Sequence, residues 1–442
     1  MLLTGLDILT MLPGSREPVH GAIRIRDGRI EEVGDLQATP GETTFDASGL
    51  TAVPGFVQGH VHLCQTLFRN LAESLPLLRW LQQRIWPLEA AHDEVSLRAS
   101  ARLALHELLR GGCTTFQSME SVHGTEHVFA EVERSGLRAI LGNSLIDVPG
   151  DGVPDRLCTT THEALAISLA LRRTWDGRAG RIHYAFNPRF LLSCSDELHA
   201  ELAHLRRSEG ARIHTHAAEH PAEVETVLQQ RGQRYLVVLE RLGVLGPTTA
   251  LAHCVHLDDE ERDILQDSKA AVMHCPTTNL KLGSGFADVP EFRARKIRVA
   301  IGADGAPANN RLDALTELRQ AALIQDLNRA PGALSPRDAL AVLTIEGAKA
   351  LGLEHECGSL EAGKAADVVL LDLRDPALGP GGDAFTKIVY CAERAHIRHV
   401  LVAGEFALRD GHLLGALGDT EALAAECSTA LHATLERAGL SA

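Results

Sequence analysis

Short apolar runs that end in a polar or histidine-bearing tip recur along the chain, each followed by a stretch of helical periodicity. From Ala52 onward these runs fall at 52–59, 113–118, 137–145, 181–186, 211–216, 249–254, 270–275 and 297–303. Between them, stretches such as Glu94–Arg110, Glu126–Ser135, Ser195–Ser208, Pro221–Arg231 and Asp258–Gln266 return an apolar residue once per helical turn. Strands that alternate with helices eight times over predict an α/β fold of the (β/α)8 barrel type.

The two ends depart from this pattern. Residues 1–51 read as short strands with turns, among them Ala22–Arg26, Asp27-Gly28 and Ile30–Val33. Residues 357–415 read the same way, through Ala366–Leu373, His399–Val402 and Asp410-Gly411. Chain ends often lie close together, so two β-rich ends can pair into a small β-sandwich. The segment 312–352 is helical, and a terminal helix is expected over 418–439. The expected division is therefore 1–51 and 357–415 as the two parts of a sandwich, 52–356 as the barrel, and 416–442 as a C-terminal helix.

Composition narrows the class. A chain of 442 residues, 45% apolar, can bury a large barrel and an appendage, and with only 4% aromatics its core is mostly aliphatic. The net charge of −15, with no basic stripe, argues against nucleic acid as a partner. No apolar run reaches the ~18 residues of a membrane span. The N-terminus carries Asp7 inside its apolar stretch and lacks a basic region before it, so it reads as a folded strand and not as a signal peptide. Nine cysteines stand singly with no CxxC pair, which suits reduced thiols in a cytoplasm.

Candidate chemistry gathers at the strand tips, where barrel enzymes place catalysis. Gly59-His60-Val61-His62 closes the first run, and residues two apart on a strand face the same way, so both imidazoles can address one metal ion. Ile213-His214-Thr215-His216-Ala217-Ala218-Glu219 closes the fifth; His216 can ligate while Glu219 reaches the same water as a general base. His214 lies one step deeper and reads as a packed or hydrogen-bonded core histidine. His253 stands at the sixth tip and Asp304-Gly305 at the eighth. Three nitrogens and one carboxylate suit Zn2+, with Fe2+ as the alternative, and a water to complete the shell. Such an ion lowers the pKa of its water from ~15.7 towards ~7. Hydrolytic attack by that hydroxide on an electrophilic carbon would then use Glu219 as proton shuttle, His253 as hydrogen-bond partner and Asp304 as ligand and proton acceptor.

At these residues the chain resembles the amidohydrolase superfamily in its deaminase and chlorohydrolase branch. PGFVQGHVH, HTHAAE, LAHCVHL, HCPTTNLKLGSG and GADGAPANNRLD occur in the order that family shows. The resemblance implies a distorted (β/α)8 barrel with a small β-sandwich from both termini. It also implies one metal on His60, His62, His216 and Asp304, with Glu219 and His253 as acid–base groups. It further implies hydrolysis of a C–N bond in a cyclic amidine, with release of ammonia. QTLFR, LPLLRWL and IWPLE are similar to deaminases of 5′-modified adenosines, in which Glu89 would read the ribose hydroxyls. Arg189, in Asn187-Pro188-Arg189-Phe190, resembles a guanine-deaminase segment that touches the purine. Asn143 and Arg156 are further candidates for the substrate pocket. The substrate is thus a small molecule, first a 5′-modified adenosine. Guanine, a related purine or pterin, or a triazine is the alternative. Neither nucleic acid nor membrane is expected as a partner, and a homodimer is an assembly that relatives adopt.

Overall fold

The computed structural model describes residues 1–441. The chain folds into two compact units. One comprises Met1–Gln58, His106–Thr115 and Asp313–Gly418; the other comprises Gly59–Leu105, Phe116–Leu312 and the segment from Asp419.

In the first unit both chain ends contribute to a single nine-stranded mixed sheet. The C-terminal strand Val368–Leu371 lies antiparallel between Thr51–Pro54 and Ile397–Val402. Thr51–Pro54 in turn runs parallel to the N-terminal strand Leu2–Ile8. Leu3, Leu6 and Ile23 from one end of the chain share an apolar core with Val368, Leu370 and Leu401 from the other. The pairing of the two ends is the one expected.

The second sheet is the barrel. Its strands, in chain order, are β1 (Phe56–His62), β2 (Cys113–Glu120), β3 (Arg138–Leu145), β4 (Ile182–Pro188) and β5 (Arg212–Ala217). They continue with β6 (Thr249–His253), β7 (Ala271–His274), β8 (Arg298–Ile301) and the two-residue β9 (Asp304–Gly305). From β1 to β8, neighbours in sequence are neighbours in the sheet, and β9 pairs in parallel with β1, Asp304 against Val61 and Gly305 against His62. Helices begin where the sequence places capping residues. Ser195 accepts from the Leu198 N–H, and Asp258 from the Glu261 N–H, so each caps the helix it was expected to open.

Two apolar runs differ from their expected extent. The first, 52–59, is broken: Thr51–Pro54 belongs to the mixed sheet and β1 starts at Phe56. The eighth, 297–303, ends early at Ile301, and the chain changes partner, from His274 on β7 to Val61 on β1. Gly302 makes that crossing possible, because a Cβ there would lie 2.7 Å from both the nitrogen and the carbonyl oxygen of His60.

After β1 the chain makes a tight turn of 3₁₀ helix over Leu63–Phe68. A helical stretch follows over Leu77–Trp80 and Trp86–Ala90, with a π turn at Leu81–Ile85 between them. Such π turns are frequent at functional sites. The terminal helix Thr420–Ala438 lays Leu423, Cys427, Ala430 and Leu435 on Leu67, Phe68, Leu88 and Ala99, holding this segment from outside. Among the described residues no helix is long and apolar enough to cross a membrane, and no two cysteines form a disulfide.

Gly302→Ala should cost about 1–3 kcal/mol, the usual penalty for overpacking, because backbone and not a movable side chain opposes the new methyl. Chemical denaturation checks it; wild-type stability would show that β1 and the 302–304 segment part freely.

Candidate active site

β1 delivers His60 and His62 to the barrel interior, β5 delivers His216, and β9 delivers Asp304. The Asp304 Oδ1 atom lies 3.2 Å from His60 Nε2 and 3.1 Å from His62 Nε2. His62 Nε2 is 3.3 Å from His216 Nε2. The four ligand atoms all lie within 4.8 Å of one another, an arrangement able to hold a metal ion.

The opposite ring nitrogens point away from this centre. His62 Nδ1 donates to the Met119 carbonyl at 2.7 Å and His216 Nδ1 to the Arg189 carbonyl at 2.7 Å. A carbonyl accepts only, so both Nε2 atoms carry lone pairs aimed inward. Burial lowers the pKa of His60 to about 4 and holds His216 well below the ordinary imidazole range. Burial works against the charge on Asp304, yet the imidazoles of His60 and His62 set against it hold its carboxyl well below the usual carboxylate range. At neutral pH His60 and His216 are therefore neutral imidazoles and Asp304 is an anion.

Glu219 and His253 stand beside it. Glu219 Oε2 is 3.4 Å from His253 Nε2, and Ser284 Oγ donates to Oε1 at 3.4 Å. Burial raises the Glu219 pKa well above the usual range, and the Asp304 and Glu223 carboxylates add to it. Burial lowers the pKa of His253, whose Nδ1 lies 2.9 Å from Asn279 Oδ1. That bond orients the ring and turns Nε2 towards Glu219. Glu223 accepts the Glu219 backbone N–H at 2.9 Å and so anchors the loop. Ala218, His253, Cys254 and Asp304 adopt φ of 49°, 74°, 50° and 63°, a left-handed region that side chains other than glycine's rarely enter. Backbone strain of this kind clusters at functional sites, costing of order 1–3 kcal/mol per residue.

A pocket with about 420 Å³ of space opens over the cluster. His62, His216, Glu219 and Asp304 line it together with the apolar Leu77, Trp80, Leu81 and Phe190. Apolar walls with a few convergent polar groups are the usual form of a small-molecule site.

The other candidates are distributed differently. Arg189 lines this pocket, but its guanidinium grips Glu89, with Nη1 2.8 Å from Oε2 and Nη2 3.3 Å from Oε1. Gln65 Nε2 donates to Oε1 at 2.7 Å, and all three side chains are buried. Glu89 also lines a neighbouring pocket of about 500 Å³, together with Arg156. Arg156 is thus near the site but outside the pocket over the His/Asp cluster, and it donates to the His92 carbonyl at 3.1 Å. Asn143 is a correction. Its Oδ1 accepts from Ser168 Oγ at 3.1 Å and from the Tyr184 hydroxyl at 2.7 Å. It faces the helix Thr161–Trp175 and not the pocket, because strand side chains alternate between the two sides of the sheet. Nothing in the sequence marks Gln65, Glu223 or Ser284 singly; Gln65, Asn279 and Ser284 lie inside family-like segments, and Glu223 lies in none.

The family model described as "Amidohydrolase family" matches residues 51–407. The chain belongs to the amidohydrolase family. This amidohydrolase is 37% identical over 418 residues to a 5-methylthioadenosine/S-adenosylhomocysteine deaminase of Moorella thermoacetica, covering 93% of this chain and 95% of that one. It is 37% identical over 415 residues to a 5′-deoxyadenosine deaminase of Methanothermobacter thermautotrophicus, covering 93% and 94%. Among solved structures it is similar to an adenosine deaminase from Xanthomonas campestris with bound zinc, with a TM-score of 0.90, 29% identity and 98% of both chains covered. The amidohydrolase family is a metal-dependent one, and the His/Asp cluster fits that character.

Removing one partner of a buried ion pair leaves a stranded charge, at a cost of about 3–5 kcal/mol. Arg189→Met should therefore lower the unfolding midpoint sharply, and adding Glu89→Gln should recover most of the loss. A single mutant as stable as the wild type would show that the pair does not hold the pocket wall.

Proposed function

We propose that this amidohydrolase deaminates an amino-purine, in the first place an adenosine modified at its 5′ position. The observation that carries the reading is the convergence of three imidazole nitrogens and one carboxylate beside Glu219 and His253 at the floor of one pocket. Three imidazole nitrogens and one carboxylate oxygen suit one zinc ion, held by His60, His62, His216 and Asp304, with iron(II) as the alternative. When bound, such an ion supplies the Lewis acidity that makes water nucleophilic near neutral pH.

The chain's own groups supply the proton chemistry. Water adds to the ring carbon that bears the amino group, the C–N bond breaks, and ammonia leaves a ring carbonyl behind. Glu219 takes the proton from the attacking water and delivers it to the departing nitrogen; its raised pKa suits a carboxylate that must hold a proton between the two steps. His253, oriented by Asn279, sets its Nε2 beside Glu219 and the developing charge.

The deaminases similar to this chain support the adenosine class. The placement of Glu89 supports it too. A base in the metal pocket would set its ribose towards Glu89, and the neighbouring pocket with Arg156 leaves space for a 5′ substituent. Arg189 keeps guanine as the second reading, since a guanidinium donates and suits a carbonyl such as O6. Its commitment to Glu89 favours the nucleoside. Cysteines without disulfides suit a reducing compartment, the cytoplasm.

Elemental analysis should return about one zinc or iron per chain, and His60→Ala or Asp304→Ala should deplete it. Glu219→Gln should keep the metal while losing roughly 10²–10⁴ in kcat, the worth of a positioned acid–base group. Near-normal turnover by that variant would remove Glu219 from the mechanism. For the substrate, ammonia release across 5′-deoxyadenosine, methylthioadenosine, S-adenosylhomocysteine, guanine and triazines should favour the adenosines. Glu89→Ala should raise KM for the nucleosides far more than for a free base. Turnover of guanine alone, abolished by Arg189→Ala, would overturn the first choice.

A further inference from the structure

Each of the three histidines proposed as ligands has its Nδ1 engaged, but not by the same kind of group. His62 and His216 donate to backbone carbonyls, of Met119 and Arg189, which no substitution can remove. His60 instead meets a side chain: its Nδ1 lies 2.9 Å from Nε2 of His214. The two rings meet edge to face, with centroids 4.8 Å apart and planes at 85°, and both residues are fully buried. No water competes for the bond, and His214 stands two residues before His216 on the same face of β5.

From this geometry we infer that His214 is a positioning residue, which fixes the orientation and tautomer of His60 and so the affinity of the metal site. The inference rests on the metal reading proposed above. For His60 Nε2 to present a lone pair beside Asp304, its proton must sit on Nδ1. A proton on Nδ1 needs an acceptor, and His214 Nε2 is the group in place to be one. His214 is then the one side-chain acceptor among three otherwise backbone-held imidazoles. Groups that hold the far nitrogen of a ligating histidine typically contribute 10–100-fold to metal affinity.

The test measures zinc affinity by chelator competition, with thermal unfolding of the zinc-free proteins alongside, for wild type, His214→Leu and His214→Gln. Leucine fills similar space with no acceptor, whereas the glutamine carbonyl can accept from His60 Nδ1. The expected result is a 10–100-fold loss for His214→Leu, substantial recovery in His214→Gln, and similar unfolding midpoints for both variants. A cobalt-substituted His214→Leu protein should also show an altered visible spectrum. Unchanged zinc affinity in His214→Leu overturns the inference. So does an equal loss in both variants that follows a fall in midpoint, because His214 would then be a packing residue. A wild-type chain that binds no zinc or cobalt would instead sink the metal reading itself, and the wild-type measurement separates that failure from the others.

Discussion

The bridge between the last and first barrel strands is only two residues long, Asp304 against Val61 and Gly305 against His62. Everything at the site depends on it. Parallel strands lie about 4.8 Å apart, so in an open sheet β1 and β5 would be separated by four such spacings, roughly 19 Å. In the closed sheet His62 and His216 approach to 3.3 Å across the interior. Closure also sets the carboxylate from the far end of the barrel between His60 and His62. The chain meets that demand by ending β8 early, crossing β1 at a glycine and turning through a left-handed aspartate.

Burial then decides the electrostatics. Imidazoles and carboxylates removed from water both resist charging, which keeps His60 and His216 neutral and pushes Glu219 towards its protonated form. Asp304 escapes because the imidazoles of His60 and His62 stand directly against it. Carboxylates in one pocket are thus driven in opposite directions, one towards a lasting anion and the other towards a proton carrier. Separation of this kind is how one site can hold acid and base roles at a single pH. The left-handed backbone at Ala218, His253 and Asp304 belongs to the same design, since these residues carry or adjoin the groups that must converge.

The wall of the site is built on a different principle. The Glu89–Arg189 pair, capped by Gln65, carries no net charge and stands between two pockets. Each carboxylate oxygen already accepts at least one hydrogen bond there, so a ligand's hydroxyl must fit around the guanidinium or displace it. Arg189 also ties its backbone carbonyl to His216. One residue thereby joins the pocket wall to the His/Asp cluster, its side chain serving the first and its main chain the second.

The sequence by itself determined the barrel and the candidate cluster, because both are written in local periods. Apolar runs with helices between them specify alternating strands and helices, and histidines two apart on a strand must share a face. His60, His62, His216, Glu219, His253 and Asp304 were legible because each sits at the tip of such a run. Tertiary structure alone decided which side chains meet when no local period relates them. Glu89 and Arg189, 100 positions apart, each looked like a substrate contact, and they bind each other. Asn143 lies on a strand buried along its whole length, where inside and outside cannot be told apart until the helix Thr161–Trp175 packs against one side. His214 looked like a core residue; only closure of the sheet brought His60 to it across 154 positions. The exact ends of the first and last barrel strands were hidden for the same reason, since the atoms that end them belong to distant strands.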